Sequence, residues 1–279
     1  MWQIKTLTDK KEILAFLEQD RIYAAYAIGD LEPSLFAQCQ WFGAEYNGET
    51  QALALFFTGL RPPALFSMGD GDGVAAILDS ALQPRRAYFT CPAEHLPVVE
   101  AYYALNEIEE MFRMAIAPAD FRRVPDPAVK LDLSHLDALR QLYRLGGGDA
   151  FAPYQLRDGV YYGIEADNHL VSAAGTHLVS PTVGVAAVGN IFTHPDHRRR
   201  GYGTACTSQV VEELLALRQA VVVSLSNHQD KTQGLDIVLN VNRENAEAIG
   251  IYEKLGFRKY CPYIEVIGNR KYPISNTQT

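Results

Sequence analysis

Nine residues in the second half of the chain, His197 to Ala205 (HRRRGYGTA), place three arginines before two glycines, although the formal net charge of the chain is -8. A strand-like apolar run, VGVAAVGNIFT, precedes them, and apolar residues at helical spacing follow them. The stretch therefore lies between a buried strand and the start of a helix. The first amides of a helix have no partner within the helix and, together with the helix dipole, attract anions. We expect the amides of residues 199–204 to bind a phosphate, with the arginines as secondary clamps and Gly201 and Gly203 leaving room for the ligand.

Two common phosphate loops do not fit this stretch. It lacks the Gly-Lys-Ser/Thr ending of a nucleotide P-loop, and Gly201-x-Gly203 lacks the third glycine and the acidic strand end of a dinucleotide fold. Taken alone, RRRGYG is also typical of a solvated basic turn whose glycines serve backbone geometry. The functional alternative to such a turn is a binding site for the pyrophosphate group of another kind of ligand.

A second segment, IVLNVNRENAEAIGIYEKLGF from Ile237 to Phe257, predicts a buried strand, a turn, a helix and a stop at Gly256. Together the two segments resemble the GNAT acyltransferase superfamily. The first is similar to that family's Arg/Gln-x-x-Gly-x-Gly/Ala signature as Arg198-x-x-Gly201-x-Gly203. The second is similar to its Asn-x-x-Ala-x-x-x-Tyr-x-x-x-Gly-Phe pattern through Asn245, Ala246 with Ala248, Tyr252, Gly256 and Phe257. The resemblance covers residues 126 to 270 approximately.

This resemblance implies transfer of an acyl group, usually acetyl, from acetyl-CoA as cosubstrate to an amine in a ternary complex, without a metal. It implies that a backbone N–H near Ile191 or Phe192 stabilises the oxyanion, and that Tyr252 is the general acid for the CoA thiolate. A tyrosine between Ile249 and Leu255 on an amphipathic helix is also typical of a core residue. The implied cofactor-binding residues are Ile191, Phe192, Thr193, Arg198, Arg199, Arg200, Gly201, Tyr202, Gly203, Thr204, Asn245 and Tyr252.

The general base is where the sequence departs from the family's better-known members, which often carry a glutamate on the strand before the loop. Here that strand offers only the apolar residues 185–188, VAAV. The amine must then lose its proton to a water chain or to a side chain elsewhere. Glu165 and His177 on the preceding hairpin are the candidates, although such hairpin residues are often only solvated or hydrogen-bonded.

The two halves of the chain predict the same order of elements. The first begins with a strand over residues 2–7, a helix capped by Thr8 or Asp9, strands near 52–58 and 64–68, and a helix over 74–82. The second begins with a strand in VKLDL, a helix capped at Ser134 and a hairpin turning at Asp167-Asn168. The segment 221–234 is longer than a short connection and predicts an extra strand with a loop.

The predicted fold class is therefore α/β (α+β), a GNAT-type fold with a central mixed, mostly antiparallel sheet, arranged as a tandem of two such domains. We expect a degenerate GNAT-like domain at residues 1–122 and a catalytic domain at 126–279, joined by the Pro-rich PADFRRVPDP. Where the first half should carry its phosphate loop stands GDGDG, whose aspartates repel phosphates. A working CoA site is not expected there.

Composition limits the partners. With 25 Lys and Arg against 33 Asp and Glu in 279 residues, an extended nucleic-acid surface is not expected. The four cysteines form no C-x-x-C pair, and no signal peptide or membrane segment is predicted, so we expect a cytoplasmic protein. Two metal interpretations, calcium at Asp70-x-Asp72 and a site at His194 and His197, each lack further ligands, so no metal is predicted.

The expected acceptor is a small-molecule amine, an amino acid or a peptide amino group, bound by a monomer or homodimer. In the first half, Tyr23, Tyr26, Asp30 and Glu32 could line a site for a cationic amine, but aromatic residues at this spacing favour a core role. The alternative function is a non-catalytic acyl-CoA-binding sensor or scaffold, which the missing strand carboxylate and the degenerate first half would both suit.

Overall fold

The computed structural model describes residues 1–125, 128–146, 151–225 and 234–271, with the side chains of residues 219–225 left aside. The elements of the first half are β1 (Gln3–Leu7), α1 (Lys10–Leu17), α2 (Ala25–Gly29), α3 (Pro33–Phe36), β2 (Cys39–Tyr46), β3 (Glu49–Phe57), β4 (Ala64–Gly69), α4 (Gly71–Ser80), β5 (Arg86–Cys91), α5 (Leu96–Tyr102), β6 (Tyr103–Leu105) and β7 (Glu109–Ile116). Those of the second half are β8 (Val129–Lys130), α6 (Leu136–Tyr143), α7 (Pro153–Asp158), β9 (Tyr162–Ala166), β10 (His169–Ser180), β11 (Val185–Thr193), α8 (Tyr202–Leu225), β12 (Asp236–Asn242), α9 (Ala246–Leu255) and β13 (Arg258–Arg270).

The residues divide into two compact units. The first comprises Met1–Phe112, Asn242–Glu244 and Cys261–Thr279, and the second comprises Arg113–Val241 and Asn245–Tyr260. Residues 261–270 join the first unit because residues 264–269 of β13 pair with β5. The linear division at residues 122–126 into a degenerate and a catalytic domain stays a prediction, and residues 126 and 127 lie outside the described residues.

The sheet of the first unit follows the order β1-β2-β3-β4-β5-β13, with β6 also paired to β13. Its pairs are antiparallel except β4 with β5, and helix α4 links these two parallel strands. The largest fully buried side chains on the α4 face include Leu65, Ile77, Phe89 and Tyr103. Because parallel neighbours need a crossover, α4 must lie against the sheet that it connects.

The second unit repeats this arrangement. Its sheet follows the order β12-β11-β10-β9-β8, with β11 and β12 parallel and linked by α8, and the remaining described pairs antiparallel. Its core under α6 and α7 contains Leu139, Leu142, Leu156 and Tyr161. Both units thus follow the succession β, two or three helices, three strands, helix, strand, helix, and the predicted tandem of mostly antiparallel mixed sheets is confirmed.

Local signals explain several element ends. Asp9 rather than Thr8 caps α1, since its side chain accepts a hydrogen bond from the Lys11 amide. The predicted turn at Asp167-Asn168 is present, with both residues at positive φ. Helix α9 ends at Gly256, which is left-handed at φ 107°.

Two predictions need correction, and one strand was not predicted. The cap before α6 is Asp132, whose side chain accepts from the Ser134 amide, so Ser134 lies inside a 3₁₀ turn. Residues 221–225 continue helix α8 instead of forming a strand, and residues 226–233 lie outside the described residues. Strand β2 is not among the predicted strands, because its sequence CQWFGAEY alternates weakly between apolar and polar residues.

Tyr23 is a core residue, as favoured from its spacing. Its side chain is buried, its ring lies 5.2 Å from that of Phe66, and its hydroxyl donates to the Ser67 carbonyl. Asp30 is half-buried, and removal from water raises the pKa of its carboxyl to about 8.

Candidate functional site

A groove of about 750 Å³ lies in the second unit, beside the end of β11. It contains most of the predicted cofactor-binding residues. The groove is lined by Ile191, Phe192, Thr193, His197, Arg198, Arg199, Gly201, Tyr202, Gly203, Thr204, Asn245, Ala246, Glu247, Ala248, Gly250, Ile251, Tyr252 and Lys254. Residues from two motifs more than 40 positions apart in the sequence therefore face one cavity.

The groove lies where two parallel strands part. The register of β11 with β12 runs from Val185 opposite Asp236 to Val188 opposite Leu239 and ends there. Strand β11 continues to Thr193, and its last three residues line the groove. An extended ligand could therefore lie beside this stretch, where β12 is no longer its partner.

Strand β11 changes direction at a bulge just before the groove. Gly175 of β10 lies opposite Gly189, whereas Ala173 lies opposite Phe192, so β11 holds one extra residue. Asn190 takes up this irregularity with a left-handed φ of 51°. The bulge thus sets the direction in which Ile191 and Phe192 enter the groove.

The loop before α8 is left-handed at two positions. Arg199 has φ 60° and Gly201 has φ 83°. A Cβ on Gly201 would meet no atom of the described chain within 4 Å, so its backbone conformation rather than protein packing requires glycine. A Cβ on Gly203 would lie 3.3 Å from Thr193 Oγ1, so this second glycine permits a close approach of helix and strand.

The three arginines have different surroundings. The Arg198 Nε donates to the Thr193 carbonyl at 3.4 Å, and its guanidinium lies 5.9 Å from the Phe192 ring centre. Arg200 donates to the Asp196 carbonyl at 3.5 Å and is not among the residues that line the groove. Arg199 lines it through a left-handed backbone. Two of the three predicted clamps therefore face the cavity, and Arg200 does not.

The motif residues on α9 are brought to the opposite side of the groove. Tyr252 is only 7% exposed, and burial raises the pKa of its hydroxyl to about 12, so the group keeps its proton at neutral pH. Asn245 caps α9, with its Oδ1 accepting from the Ala248 amide at 3.0 Å. Its side chain therefore steadies the turn at the start of α9.

The residues that line the groove fall within a segment that matches a known protein family. The family model described as "Acetyltransferase (GNAT) domain" matches residues 157–259. This part of the chain is a GNAT acetyltransferase domain. No curated protein matches the chain. The domain carries both sides of the groove and supports acyl transfer in general.

Solved structures show that the fold extends beyond the GNAT domain. A GNAT-family protein of Novosphingobium aromaticivorans DSM 12444 is 22% identical with a TM-score of 0.54, over 74% of this chain and 84% of its own. A GCN5-related N-acetyltransferase from Kribbella flavida is 17% identical with a TM-score of 0.60, over 89% and 94%. A tandem GNAT protein from the clavulanic acid biosynthesis pathway is 12% identical with a TM-score of 0.57, over 99% and 100%. These likenesses concern the fold.

The two candidate bases of the GNAT domain lie in different places. Glu165 is exposed and lines a second pocket of about 400 Å³, which shares His197 with the groove. His177 lies at an irregularity of β10, and its ring lies where a Cβ on Gly189 would be. Burial, with the Arg113 charge second, lowers the pKa of His177 to about 4. Neither residue lines the groove.

Seven of the residues that line the groove are not among the predicted cofactor-binding residues, and three of these seven have polar side chains. Glu247 and Lys254 lie on α9, seven positions apart, and His197 stacks on Tyr202 at a ring distance of 6.4 Å. From the sequence of an amphipathic helix, Glu247 and Lys254 are expected on the solvent-exposed face. Only the tertiary structure shows that they face a cavity. The spacing of i and i+7, which repeats a helix face, was the available signal.

Among the described side chains, no three His, Cys, Asp or Glu residues are placed to hold a metal ion. None of the described helices has the length and apolar character needed to cross a bilayer.

Proposed function

We propose that the GNAT domain transfers an acetyl group from acetyl-CoA to an amine by direct attack in a ternary complex. One observation carries the proposal. The parted end of β11, the start of α8 and the buried, protonated Tyr252 line the same groove.

The residues of the groove suit a pyrophosphate and an extended thioester arm. The left-handed backbone at Arg199 and Gly201 leads into the first turn of α8, whose amides lack helical partners. The close approach of Gly203 to Thr193 keeps this turn against the strand end. We assign the diphosphate to the amides of residues 199–204 and the pantetheine arm to Ile191–Thr193.

The reaction forms one bond and breaks one. The neutral amine nitrogen attacks the thioester carbonyl carbon, the C–N bond forms, and the C–S bond breaks. A backbone N–H at Ile191 or Phe192 stabilises the charge that develops on the carbonyl oxygen. Tyr252 donates its hydroxyl proton to the departing sulfur, and its place in the groove supports this role because the hydroxyl is protonated at neutral pH.

The amine proton must leave to a base. Of the two candidate side chains, His177 lies against Gly189, one residue before the bulge, whereas Glu165 is exposed and lines the second pocket. A low pKa keeps the His177 imidazole neutral and able to accept a proton, although it makes the base weak. We propose that water carries the proton from the amine towards His177.

The acceptor class follows from the reaction. We propose a small-molecule amine, an amino acid or a peptide amino group, modified in the cytoplasm by a monomer or homodimer. None of the four cysteines forms a disulfide in the part of the chain that the structure describes, which supports a reducing compartment.

The deciding experiment mixes the purified chain with acetyl-CoA and a panel of amines and follows release of free thiol. We expect amine-dependent release by the wild-type chain and a large loss in Tyr252→Phe, with CoA binding retained in calorimetry. A chain that binds CoA but releases no thiol with any amine would instead be the acyl-CoA sensor or scaffold. A chain that does not bind CoA would overturn both functions.

A further inference from the structure

Four buried polar side chains meet around the bulge of β11. Asn190 Nδ2 donates to Gln155 Oε1 at 3.2 Å and to Tyr161 Oη at 2.7 Å. Tyr143 Oη donates to the carbonyl oxygen of Asn190 itself. All four side chains are less than a tenth exposed. The side chain and the backbone of Asn190 are therefore both held by fixed partners.

The same side chains reach across to β10. Tyr161 Oη donates to the Thr176 carbonyl at 3.0 Å, and Gln155 Nε2 donates to the His177 carbonyl at 3.1 Å. These carbonyls belong to the second irregularity of the sheet, between Thr176 and Leu178. The network thus ties the bulge at Asn190 to the one at His177.

Small residues are needed for this arrangement. The Tyr161 ring lies so close to Gly175 that a Cβ there would come within 2.2 Å of it. Only glycine at this position lets the ring lie against the strand with its hydroxyl under Asn190.

The Gln155 side chain also accepts from the Ala152 amide at 2.9 Å, so this hydrogen bond fixes the start of α7.

Buried polar groups usually serve stability alone, but the place of this network suggests more. A left-handed residue other than glycine persists where surrounding contacts determine it, and Asn190 directly precedes the groove residues Ile191 and Phe192. A change at Asn190 would redirect the backbone that lies beside the acyl donor. A displacement of about 1 Å in such a group can cost roughly a hundredfold in rate.

We propose that Tyr143, Gln155 and Tyr161 are positioning residues for acyl transfer, which hold Asn190 in the left-handed bulge and so aim the Ile191 and Phe192 backbone. The inference rests on the proposed function. Its signature is a loss in kcat that exceeds the loss in CoA binding, because the network aims the backbone of Ile191 and Phe192, whereas the amides at the start of α8 that we assign to the diphosphate lie outside it.

The test compares Tyr143→Phe and Tyr161→Phe with Tyr162→Phe as matched control. Tyr162 lies on the neighbouring β9, and its hydroxyl donates to Glu213 at 2.8 Å, outside the network. We expect the first two to lower kcat about tenfold to a hundredfold with a smaller change in KM for acetyl-CoA, and the control to retain wild-type kcat. Equal kcat in all three, with only the melting temperature lowered, would overturn the proposal.

A second pair separates backbone conformation from side-chain loss. Asn190→Gly and Asn190→Ala both remove the side-chain carboxamide, but only glycine adopts a positive φ without strain. We expect Asn190→Gly to retain the higher kcat. Equal kcat in the two variants would show that the left-handed bulge does not position the backbone.

A third readout keeps this proposal separate from the proposed function. In ¹⁵N-labelled protein, the Ile191 amide resonance should shift on addition of acetyl-CoA in the wild-type chain and in Tyr162→Phe. The shift should be reduced by more than about half in Tyr161→Phe, because the Ile191 N–H is then no longer oriented towards the bound acetyl-CoA. If the wild-type chain releases no thiol with any amine, the proposed function fails, while an unreduced shift in Tyr161→Phe would overturn the positioning role alone.

Discussion

Asp70 Oδ1 accepts a hydrogen bond from the Gly73 amide at 3.1 Å, and another from the Asp72 amide at 2.9 Å. Helix α4 therefore begins with a carboxylate of the chain on its first free amides. Helix α8 links the parallel strands of the second unit as α4 links those of the first, and Gly201 before it has no side chain to do the same. The two helix starts therefore differ: the first amides of α4 are bound by the carboxylate of Asp70, whereas Gly201 offers no carboxylate to those of α8.

Replacing Asp70 with Ala should lower stability without changing CoA binding. Loss of an N-cap carboxylate costs about 1 kcal/mol, which a thermal melt detects. Asp72→Ala is the control, because Asp72 lies in the first turn but does not cap the helix. Calorimetry should find one CoA per chain in the wild-type protein, and a stoichiometry of two would contradict a phosphate site in the second unit alone.

Gly201→Val should weaken CoA binding more than Arg199→Ala. Valine at φ 83° is strained by about 1–2 kcal/mol and would disturb the backbone amides, whereas Arg199→Ala removes one exposed charge and leaves the amides in place. Dissociation constants from calorimetry at two salt concentrations measure both effects. Similar losses in the two variants would mean that charge, rather than backbone geometry, carries the affinity.

The sequence predicted many of the residues that line the groove, because the signals that form this part of the chain are local. Glycines near a helix start, an Asn cap and a Gly stop each act within a few residues, and Gly201, Asn245 and Gly256 lie where the motifs place them. Side-chain roles that depend on a single neighbour were harder to assign. Arg200 faces the Asp196 carbonyl instead of the groove, and nothing in a run of three arginines distinguishes it from Arg199.

Long-range relationships were out of reach of the sequence. Tyr143 and Asn190 are 47 residues apart, and each alone reads as an ordinary core tyrosine or a strand polar residue. The same holds for the pairing of β13 with β5, which places residues 261–270 in the first unit. Such contacts depend on sheet order, which periodicity does not determine.

Tyr252→Phe should lower kcat and leave KM for acetyl-CoA nearly unchanged. A positioned general acid contributes about 10² to 10⁴ in rate, and phenylalanine keeps the packing against Phe257, whose ring lies 6.2 Å away. Because the hydroxyl pKa is raised to about 12, the wild-type rate should show no loss from this group up to about pH 10. An unchanged kcat across this range in the variant would remove Tyr252 from the reaction.

The lowered pKa of His177 should make the stability of the folded chain depend on pH. Its folded pKa of about 4 lies below the model-compound value of 6.5, so the unfolded chain binds a proton that the folded chain does not between these values. Stability from this group is therefore full above pH 6.5 and falls as the pH drops towards 4, by up to about 3 kcal/mol. Denaturant titrations at pH 7.5 and 5 should show this difference, and it should shrink in His177→Gln but persist in His169→Gln, which changes an exposed histidine on the same strand.

The same shift bears on catalysis. If His177 takes the amine proton, kcat should stay level from pH 7 down to about 5 in the presence of bound substrates, because the imidazole remains neutral there. His177→Gln should then lower kcat at every pH in this range. A wild-type kcat that falls with a midpoint near 6.5, or a His177→Gln variant with full activity, would assign the proton to another acceptor.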